Sequence, residues 1–182
     1  PLPGEGGALA GYLFGLGPRA GRPVLVTGLA AAALEAGRYR LDGAIGDATA
    51  AALGFRLGAY RFDRYRQPRP RPELLLPRGA DAAEIDRLAD AAFLARDLIN
   101  TPANDLGPDA FEREIRGFAA RHRMKLRAIV GDELLKQNFP MIHAVGRASA
   151  EAPRLLDLNW GRAGDPRVTL VGKGVTFDTG GL

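Results

Sequence analysis

The segment Val168-Thr-Leu-Val-Gly-Lys-Gly-Val-Thr-Phe-Asp-Thr-Gly-Gly-Leu182 indicates the fold more strongly than any other part of the chain. Residues 168–171 are apolar and predict a central strand of a parallel sheet. One lysine, Lys173, and one aspartate, Asp178, follow among four glycines. Functional groups in open α/β sheets gather just beyond the carboxyl ends of strands. The segment therefore predicts an α/β fold that holds Lys173 and Asp178 at a site.

The chemistry of this lysine and aspartate allows two interpretations. A lysine amine binds a metal only when neutral, and deprotonating an ordinary lysine at pH 7 costs about 4.6 kcal/mol. A nearby dication together with burial can supply that energy, while Asp178 is an ordinary oxygen ligand able to bridge two ions. The other interpretation is a buried Lys173–Asp178 ion pair that shapes a glycine loop, and spacing alone favours it. A phosphate-binding P-loop is excluded because Arg167 and Gly174 stand where that motif needs glycine and serine or threonine.

Composition restricts the class of protein. The 182 residues can bury a real core, and 46% hydrophobic with 25% charged residues is typical of a globular protein. There is no cysteine, which excludes disulfides, thiol nucleophiles and cysteine-ligated zinc and is compatible with a cytoplasmic location. The two histidines, His122 and His143, do not have the spacing of a zinc motif. No apolar run approaches the roughly 20 residues that cross a bilayer, and no membrane partner is expected.

Periodicity predicts two α/β parts. Residues 1–79 are expected to form a small N-terminal α/β domain, with strands at 12–16, 23–27 and 73–76 and a helix that Asp47 caps and that continues to Phe62. Residues 80–182 are expected to form a bridging helix over 81–99, capped by Asp81, and then the first part of a second α/β domain. That part has a helix from Pro108, a strand at 126–130, a short helix at 132–137 and a strand at 154–160.

The sequence also predicts which of several side chains are buried and which are exposed. The bridging helix is predicted to bury one apolar stripe and to expose Asp86, Arg87 and Asp90 on its outer face. The stripe consists of Ile85, Leu88, Ala92, Ala95 and Ile99. Trp160 and His143 are predicted in the core, and Glu112 and Glu114 on a solvated helix face.

Five arginines cluster between residues 61 and 71, among three aromatic residues. They are Arg61, Arg64, Arg66, Arg69 and Arg71. We interpret them as a solvated helix end in an arginine-rich protein, so nucleic acid is not an expected partner. The alternative is a non-catalytic α/β protein that acts in assembly or binds nucleic acid through this cluster.

Four segments together resemble the leucyl (cytosol) aminopeptidase family, the M17 metallopeptidases. They are Leu57-Gly-Ala-Tyr-Arg-Phe-Asp-Arg-Tyr65, Arg96-Asp-Leu-Ile-Asn-Thr-Pro-Ala-Asn-Asp-Leu-Gly-Pro108, Asn138-Phe-Pro-Met-Ile-His-Ala-Val-Gly-Arg-Ala-Ser149 and Val171-Gly-Lys-Gly-Val-Thr-Phe-Asp-Thr-Gly-Gly-Leu182. The last of them is the most specific. The resemblance favours the metal-site interpretation of Lys173 and Asp178 over the ion pair.

The resemblance implies a dinuclear metalloaminopeptidase that releases N-terminal residues, often leucine, from peptides. Lys173 would ligate one metal ion through its amine, and Asp178 would bridge both ions. The two divalent ions would be zinc, or manganese, magnesium or cobalt, and the complete enzyme would be a cytoplasmic homo-oligomer, usually a hexamer. The family's remaining ligands and its catalytic lysine and arginine lie beyond Leu182, so no catalytic residue is assigned within this chain. We expect the chain to be the front part of such an enzyme and inactive alone.

Overall fold

Residues 1–176 are described by the structure, a computed structural model, and they combine helices with three two-stranded sheets. The predicted α/β class is confirmed. By packing, the chain divides into two units, Pro1–Asn100 and Thr101–Leu182. Among the described residues, no helix is both long enough and apolar enough to cross a membrane.

The first unit contains four short strands and three helices. Its elements are β1 (Leu2–Pro3), a one-turn 3₁₀ helix (Glu5–Gly7), β2 (Leu9–Gly11), α1 (Thr27–Ala33), β3 (Gly37–Tyr39), α2 (Ala48–Gly58), β4 (Pro72–Leu74) and α3 (Ala82–Asn100). Strands β1 and β2 pair antiparallel, whereas β3 and β4 pair parallel. The predicted cap of α2 is confirmed, because the Asp47 carboxylate accepts from the backbone N–H groups of Thr49 and Ala50.

Helices α1 and α2 cross with their backbones almost in contact. A Cβ added at Gly54 would lie 2.5 Å from Thr27 Oγ1, and one added at Gly28 would lie 2.7 Å from the Gly54 carbonyl oxygen. The Thr27 hydroxyl is buried and donates to the Ala51 carbonyl at 2.6 Å. Beside the crossing, Phe55 is 1% exposed at the centre of the core. Glycines at the crossing thus set the distance between the two helices.

Helix α3 packs on α2, and its N-terminus is capped as predicted by Asp81, whose carboxylate accepts from the N–H of Glu84 at 3.0 Å. Ile85 and Ala89 are buried, but Leu88 and Ile99 of the predicted stripe are exposed. That assignment was wrong because the face toward α2 is partly polar. Two acidic side chains of α3, Asp86 and Asp90, form ion pairs with Arg56 of α2.

The second unit is built on an antiparallel pair of strands. Its elements are α4 (Pro108–Arg121), β5 (Lys125–Val130), α5 (Glu133–Lys136), α6 (Pro140–Gly146) and β6 (Arg154–Asn159). β5 pairs with β6 from Lys125 opposite Asn159 to Val130 opposite Arg154. Ala119, Ile129 and Leu134 are buried and mark its core. The predicted helix from Pro108 and the two strands are confirmed, while α6 was missed.

Two predicted strands of the first unit are absent from the structure. Residues 12–16 have no regular structure, and residues 23–27 form a turn that leads into α1. The N–H of Val26 bonds to the Pro23 carbonyl at 3.2 Å, and that of Gly28 to the Leu25 carbonyl at 3.0 Å. The β-branched residues predicted a strand there, but the tight packing of α1 on α2 outweighs this weak local preference.

Other corrections concern where elements end. Helix α2 ends at Gly58, not Phe62, and Arg61 donates to the carbonyls of Gly58 and Tyr60 just beyond it. Residues 168–171 form no strand, and Val168, Leu170 and Val171 are more than four-fifths exposed. Within residues 1–176 this segment pairs with none of the six strands, so its apolar pattern does not form the predicted central strand. Trp160 is 77% exposed, so its prediction as a core residue was wrong.

The packing division after Asn100 falls later than the boundary expected near residue 80. Helix α3 contacts α2 closely and belongs by packing to the first unit. Packing defines a compact unit and does not by itself define a domain of a family. The division into 1–79 and 80–182 therefore stays a prediction.

Candidate metal-binding segment

The predicted ligand Lys173 lies in an irregular segment of the second unit, between β6 and the end of the described residues. Lys173 and its neighbours Gly172 and Gly174 are exposed. Within residues 1–176 the lysine amine makes no hydrogen bond or ion pair. The other predicted ligand, Asp178, lies outside the described residues. The lysine is thus accessible from solvent, and a metal site shared with Asp178 stays a prediction.

The backbone next to Lys173 passes very close to helix α4. A Cβ added at Gly174 would lie 2.9 Å from Cε1 of Phe111, closer than side-chain carbon atoms approach one another. The half-buried Phe111 ring lies in the first turn of α4. A Cβ at this position would require the Phe111 ring to shift, so glycine favours the close approach of this segment to the N-terminal end of α4.

An ion-pair cluster holds that end of α4 against β6. Arg154, whose side chain is 10% exposed, donates to the Glu112 carboxylate at 2.6 Å and also bonds to Asp109. Glu151 accepts from the backbone N–H of Asp109 at 2.7 Å. Because helix N-termini leave N–H groups without intrahelical partners, Glu151 acts as a cap supplied from a distant segment.

Glu112 is the buried member of this cluster, with a side chain 13% exposed. Burial alone would raise the pKa of its carboxyl, but hydrogen bonds and charges from Arg116 and Arg154 outweigh burial and lower the pKa. The prediction that Glu112 lies on a solvated face was wrong, whereas Glu114 is exposed as predicted. Periodicity missed this because Glu112 is buried by β6, which lies far from it in sequence.

The donor atoms present fit part of a metal site. A lysine amine and a carboxylate are nitrogen and oxygen donors suited to divalent ions such as zinc or manganese. Among residues 1–176, however, no group of three His, Asp or Glu side chains is placed to hold a metal ion. His143 is a half-buried residue whose Nε2 lies 3.1 Å from the Asp132 carboxylate, and it contributes to no such group. The described residues therefore contribute one predicted ligand, Lys173.

Two of the four motif segments meet within the first unit. The Tyr60 hydroxyl donates to the Asp97 carboxylate at 2.6 Å and accepts from Asn100 at 3.2 Å. Arg96 donates to the Leu57 carbonyl at 2.7 Å, and its guanidinium lies 5.2 Å from the centre of the Tyr60 ring. Burial, followed by the bond to Asp97, raises the pKa of Tyr60. The segments at 57–65 and 96–108 are thus linked through α2 and α3, which sequence reasoning did not anticipate.

Comparison with known families accounts for these motifs. The model described as "M17 aminopeptidase, N-terminal domain" matches residues 1–77, and the model described as "Cytosol aminopeptidase family, catalytic domain" matches residues 93–182. A probable cytosol aminopeptidase of Rhodococcus jostii is 36% identical over 154 residues, which cover 75% of this chain and 30% of that protein. One of Corynebacterium efficiens is 37% identical over 156 residues, covering 74% and 29%.

Solved structures agree. The crystal structure of cytosol aminopeptidase from Coxiella burnetii matches with a TM-score of 0.77 and 36% identity over 86% of this chain and 35% of that one. The bottromycin maturation enzyme BotP, solved in complex with Mn, matches with a TM-score of 0.67 and 36% identity over 82% and 36%. The chain spans about 30% of the length of the curated relatives it matches.

Fold, motifs and relatives together define an α/β protein of the aminopeptidase class. The chain belongs to the M17, or cytosol aminopeptidase, family.

Proposed function

We propose that these residues form the N-terminal domain and the opening part of the catalytic domain of a metal-dependent aminopeptidase that releases N-terminal residues, often leucine, from peptides. The observation that carries the proposal is the family's catalytic-domain match over residues 93–182, which contains both Lys173 and Asp178. The exposed lysine amine beside the close approach of Gly174 to Phe111 supports it.

Two divalent metal ions are part of this proposal. Lys173 would hold one through its neutral amine, and Asp178 would bridge both. When bound, such ions supply Lewis-acid polarisation of a peptide carbonyl and a reactive water at neutral pH. The similar BotP is known in complex with Mn, which supports manganese as one usable ion. Zinc, magnesium and cobalt are the other candidates that the family resemblance implies.

The chain's own residues would position the ligand lysine. Gly174 lets the backbone lie against Phe111, and the cluster of Arg154 with Glu112 and Asp109 holds the helix that carries Phe111. Two ligands are few for two ions, since a single catalytic zinc ion ordinarily takes three protein ligands. We therefore propose that the 182-residue chain alone binds metal weakly and does not hydrolyse peptides.

The remaining parts of the proposal concern the complete enzyme. Its substrates would be peptides with a free N-terminus, it would act in the cytoplasm, and it would assemble as a homo-oligomer, a hexamer in the usual form of this family. The probable cytosol aminopeptidases among its relatives support the cytoplasmic location.

The test compares variants of a full-length polypeptide that carries these residues, by hydrolysis of leucine p-nitroanilide with added Mn²⁺. Lys173→Gln and Asp178→Asn should each abolish turnover and weaken Mn²⁺ binding in calorimetry. Lys125→Gln is the matched control, because Lys125 is an exposed lysine of β5, and it should keep both properties. Near-normal hydrolysis by the Asp178→Asn variant would remove the assignment.

A further inference from the structure

The arginine segment, residues 61–71, holds all of the chain's excess charge. Five arginines against Asp63 give this segment the same net charge as the whole chain, +4. The remainder of the chain is therefore electrically balanced. Since α2 ends at Gly58, these arginines do not lie on a helix end as predicted. They lie in the loop that leads to β4.

Internal contacts fix the shape of this loop. Arg71 forms an ion pair with Asp63 and donates to the Arg61 carbonyl at 3.3 Å, which joins the two ends of the loop. Arg61 is itself bonded to the carbonyls of Gly58 and Tyr60. Prolines at alternate positions, 68, 70 and 72, restrict the backbone further. The loop is thus held in one conformation before any ligand arrives.

Two arginines of the loop have no internal role. Within residues 1–176 the guanidinium groups of Arg66 and Arg69 make no hydrogen bond or ion pair, and both residues are exposed. Both line a cavity of about 680 Å³, together with Gln67. The cavity lies between the loop and the turn after α1 at residues 34–36.

The charge of this cavity favours an anion. Two carboxylates also line it, Glu35 and Asp63, but that of Asp63 is neutralised by Arg71. Three lining arginines, Arg61, Arg66 and Arg69, remain against Glu35. The planar, two-pronged guanidinium group can donate to two oxygens of one phosphate through charge-assisted hydrogen bonds. Because the contacts of Arg61 and Arg71 restrain the loop backbone, binding has to order mainly the two arginine side chains.

We propose that Arg66 and Arg69 form a phosphate-binding site in the cavity under the 61–71 loop, with Gln67 as an additional amide donor. The ligand is a phosphate group, either of a mononucleotide or of a nucleic-acid backbone. The site lies wholly in the first unit and involves neither Lys173 nor Asp178. It does not depend on peptidase activity.

The experiment titrates the 182-residue chain by calorimetry at low ionic strength with three probes: inorganic phosphate, adenosine monophosphate and a short single-stranded oligonucleotide. At least one probe should bind, and the Arg66→Gln/Arg69→Gln variant should bind it about tenfold or more weakly, because two charge-assisted hydrogen bonds are lost. One-to-one binding of phosphate or the mononucleotide identifies a small ligand. Binding of the oligonucleotide alone, weakening steeply with salt, identifies a nucleic-acid backbone.

The control removes the same charge elsewhere. Arg113→Gln/Arg162→Gln takes two exposed arginines from the second unit and should leave binding unchanged apart from a small effect of net charge. Thermal unfolding should be the same for both variants, since Arg66 and Arg69 make no hydrogen bond or ion pair within the described residues. Absence of binding by all three probes overturns the proposal. Equal loss of binding in the two variants also overturns it, because the effect would then be net charge alone.

Discussion

At the scale of single residues, the tightest constraint is the crossing of α1 and α2. Gly54 faces the Thr27 hydroxyl and the Leu25 backbone, whose atoms would lie 2.5–3.0 Å from an added Cβ. The partners are mainly backbone and a buried hydrogen-bonded hydroxyl, so they have little freedom to move. A methyl group at this position has to push the helices apart and open the core around Phe55.

We predict that Gly54→Ala lowers the free energy of unfolding by about 1–3 kcal/mol, because it overpacks the crossing. Gly117→Ala is the matched control. It also replaces a glycine inside a helix, α4, but the nearest atom there is the flexible end of the Arg121 side chain, 3.5 Å from the added Cβ. That variant should gain about 0.5–1 kcal/mol from reduced backbone entropy. Urea unfolding followed by circular dichroism measures both, and equal effects would contradict this account of the crossing.

The Tyr60 hydroxyl is a second residue whose contacts can be isolated. Tyr60→Phe removes the donor to Asp97 and the acceptor for Asn100 while keeping the ring beneath Arg96. We expect a loss of about 1 kcal/mol of stability at neutral pH. The raised pKa of Tyr60 means that the wild-type advantage is fully present below the phenol's ordinary pKa and declines as pH rises through the folded-state pKa. Unfolding curves of both proteins from neutral to alkaline pH test this, and a constant difference would contradict it.

At the scale of elements, β6 and α4 are joined by charge. Arg154 of β6 and Arg116 of α4 both bond to Glu112. The lowered pKa of Glu112 means that its contribution is present above the unfolded pKa and is lost as pH falls through the folded-state pKa.

We predict that Glu112→Gln costs about 1–3 kcal/mol at neutral pH, and that the difference from wild type disappears in acid as the wild-type carboxyl is protonated. Glu133→Gln is the control: Glu133 also has a lowered pKa, first from its hydrogen bond to Lys136, but its side chain is exposed. Its substitution should change stability little at any pH. A Glu112→Gln deficit that persists in strong acid would mean that packing, not charge, holds α4 to β6.

Sequence reasoning succeeded where one element carries its own signals. The Asp47 and Asp81 caps, the proline that begins α4 and the strands predicted at 126–130 and 154–160 all have local signals, and the structure has them. Sequence reasoning failed where contacts between residues far apart in the sequence determine the local structure. Residues 23–27 were predicted as a strand, but they lead into α1, where the Thr27 hydroxyl donates to the Ala51 carbonyl. Asp86 and Asp90 are exposed as predicted, but their ion pairs with Arg56 of α2 were not foreseen. For the candidate site, the lysine and its glycines were found from the motif, whereas Phe111 and the Arg154 cluster needed the structure.

At the scale of the whole molecule, the question is where the first unit ends. Helix α3 buries Ile85 and Ala89 and supplies the partners of Arg56 and Tyr60. A chain cut after residue 79 loses all of these contacts. A chain cut after Asn100 keeps them.

We therefore predict that residues 1–100 unfold cooperatively on heating, while residues 1–79 show a broad transition at lower temperature or none. Circular dichroism of the two polypeptides under the same conditions measures this. Equal stability of both would mean that α3 contributes nothing to the first unit and that residue 80 is a sufficient boundary. Ile85→Asp in the 1–100 polypeptide is an internal check and should reproduce the behaviour of the shorter chain.

The exposed apolar segment at 168–171 should promote self-association of the protein. Val168, Leu170 and Val171 are 83–94% exposed, and their irregular segment has no partner strand within residues 1–176. Short apolar stretches with free N–H and carbonyl groups are templates on which a second molecule can add a strand. Light scattering by this chain should therefore rise more steeply with concentration than its net charge of +4 alone would produce. Molecular chaperones that recognise extended apolar peptides should bind it at this segment.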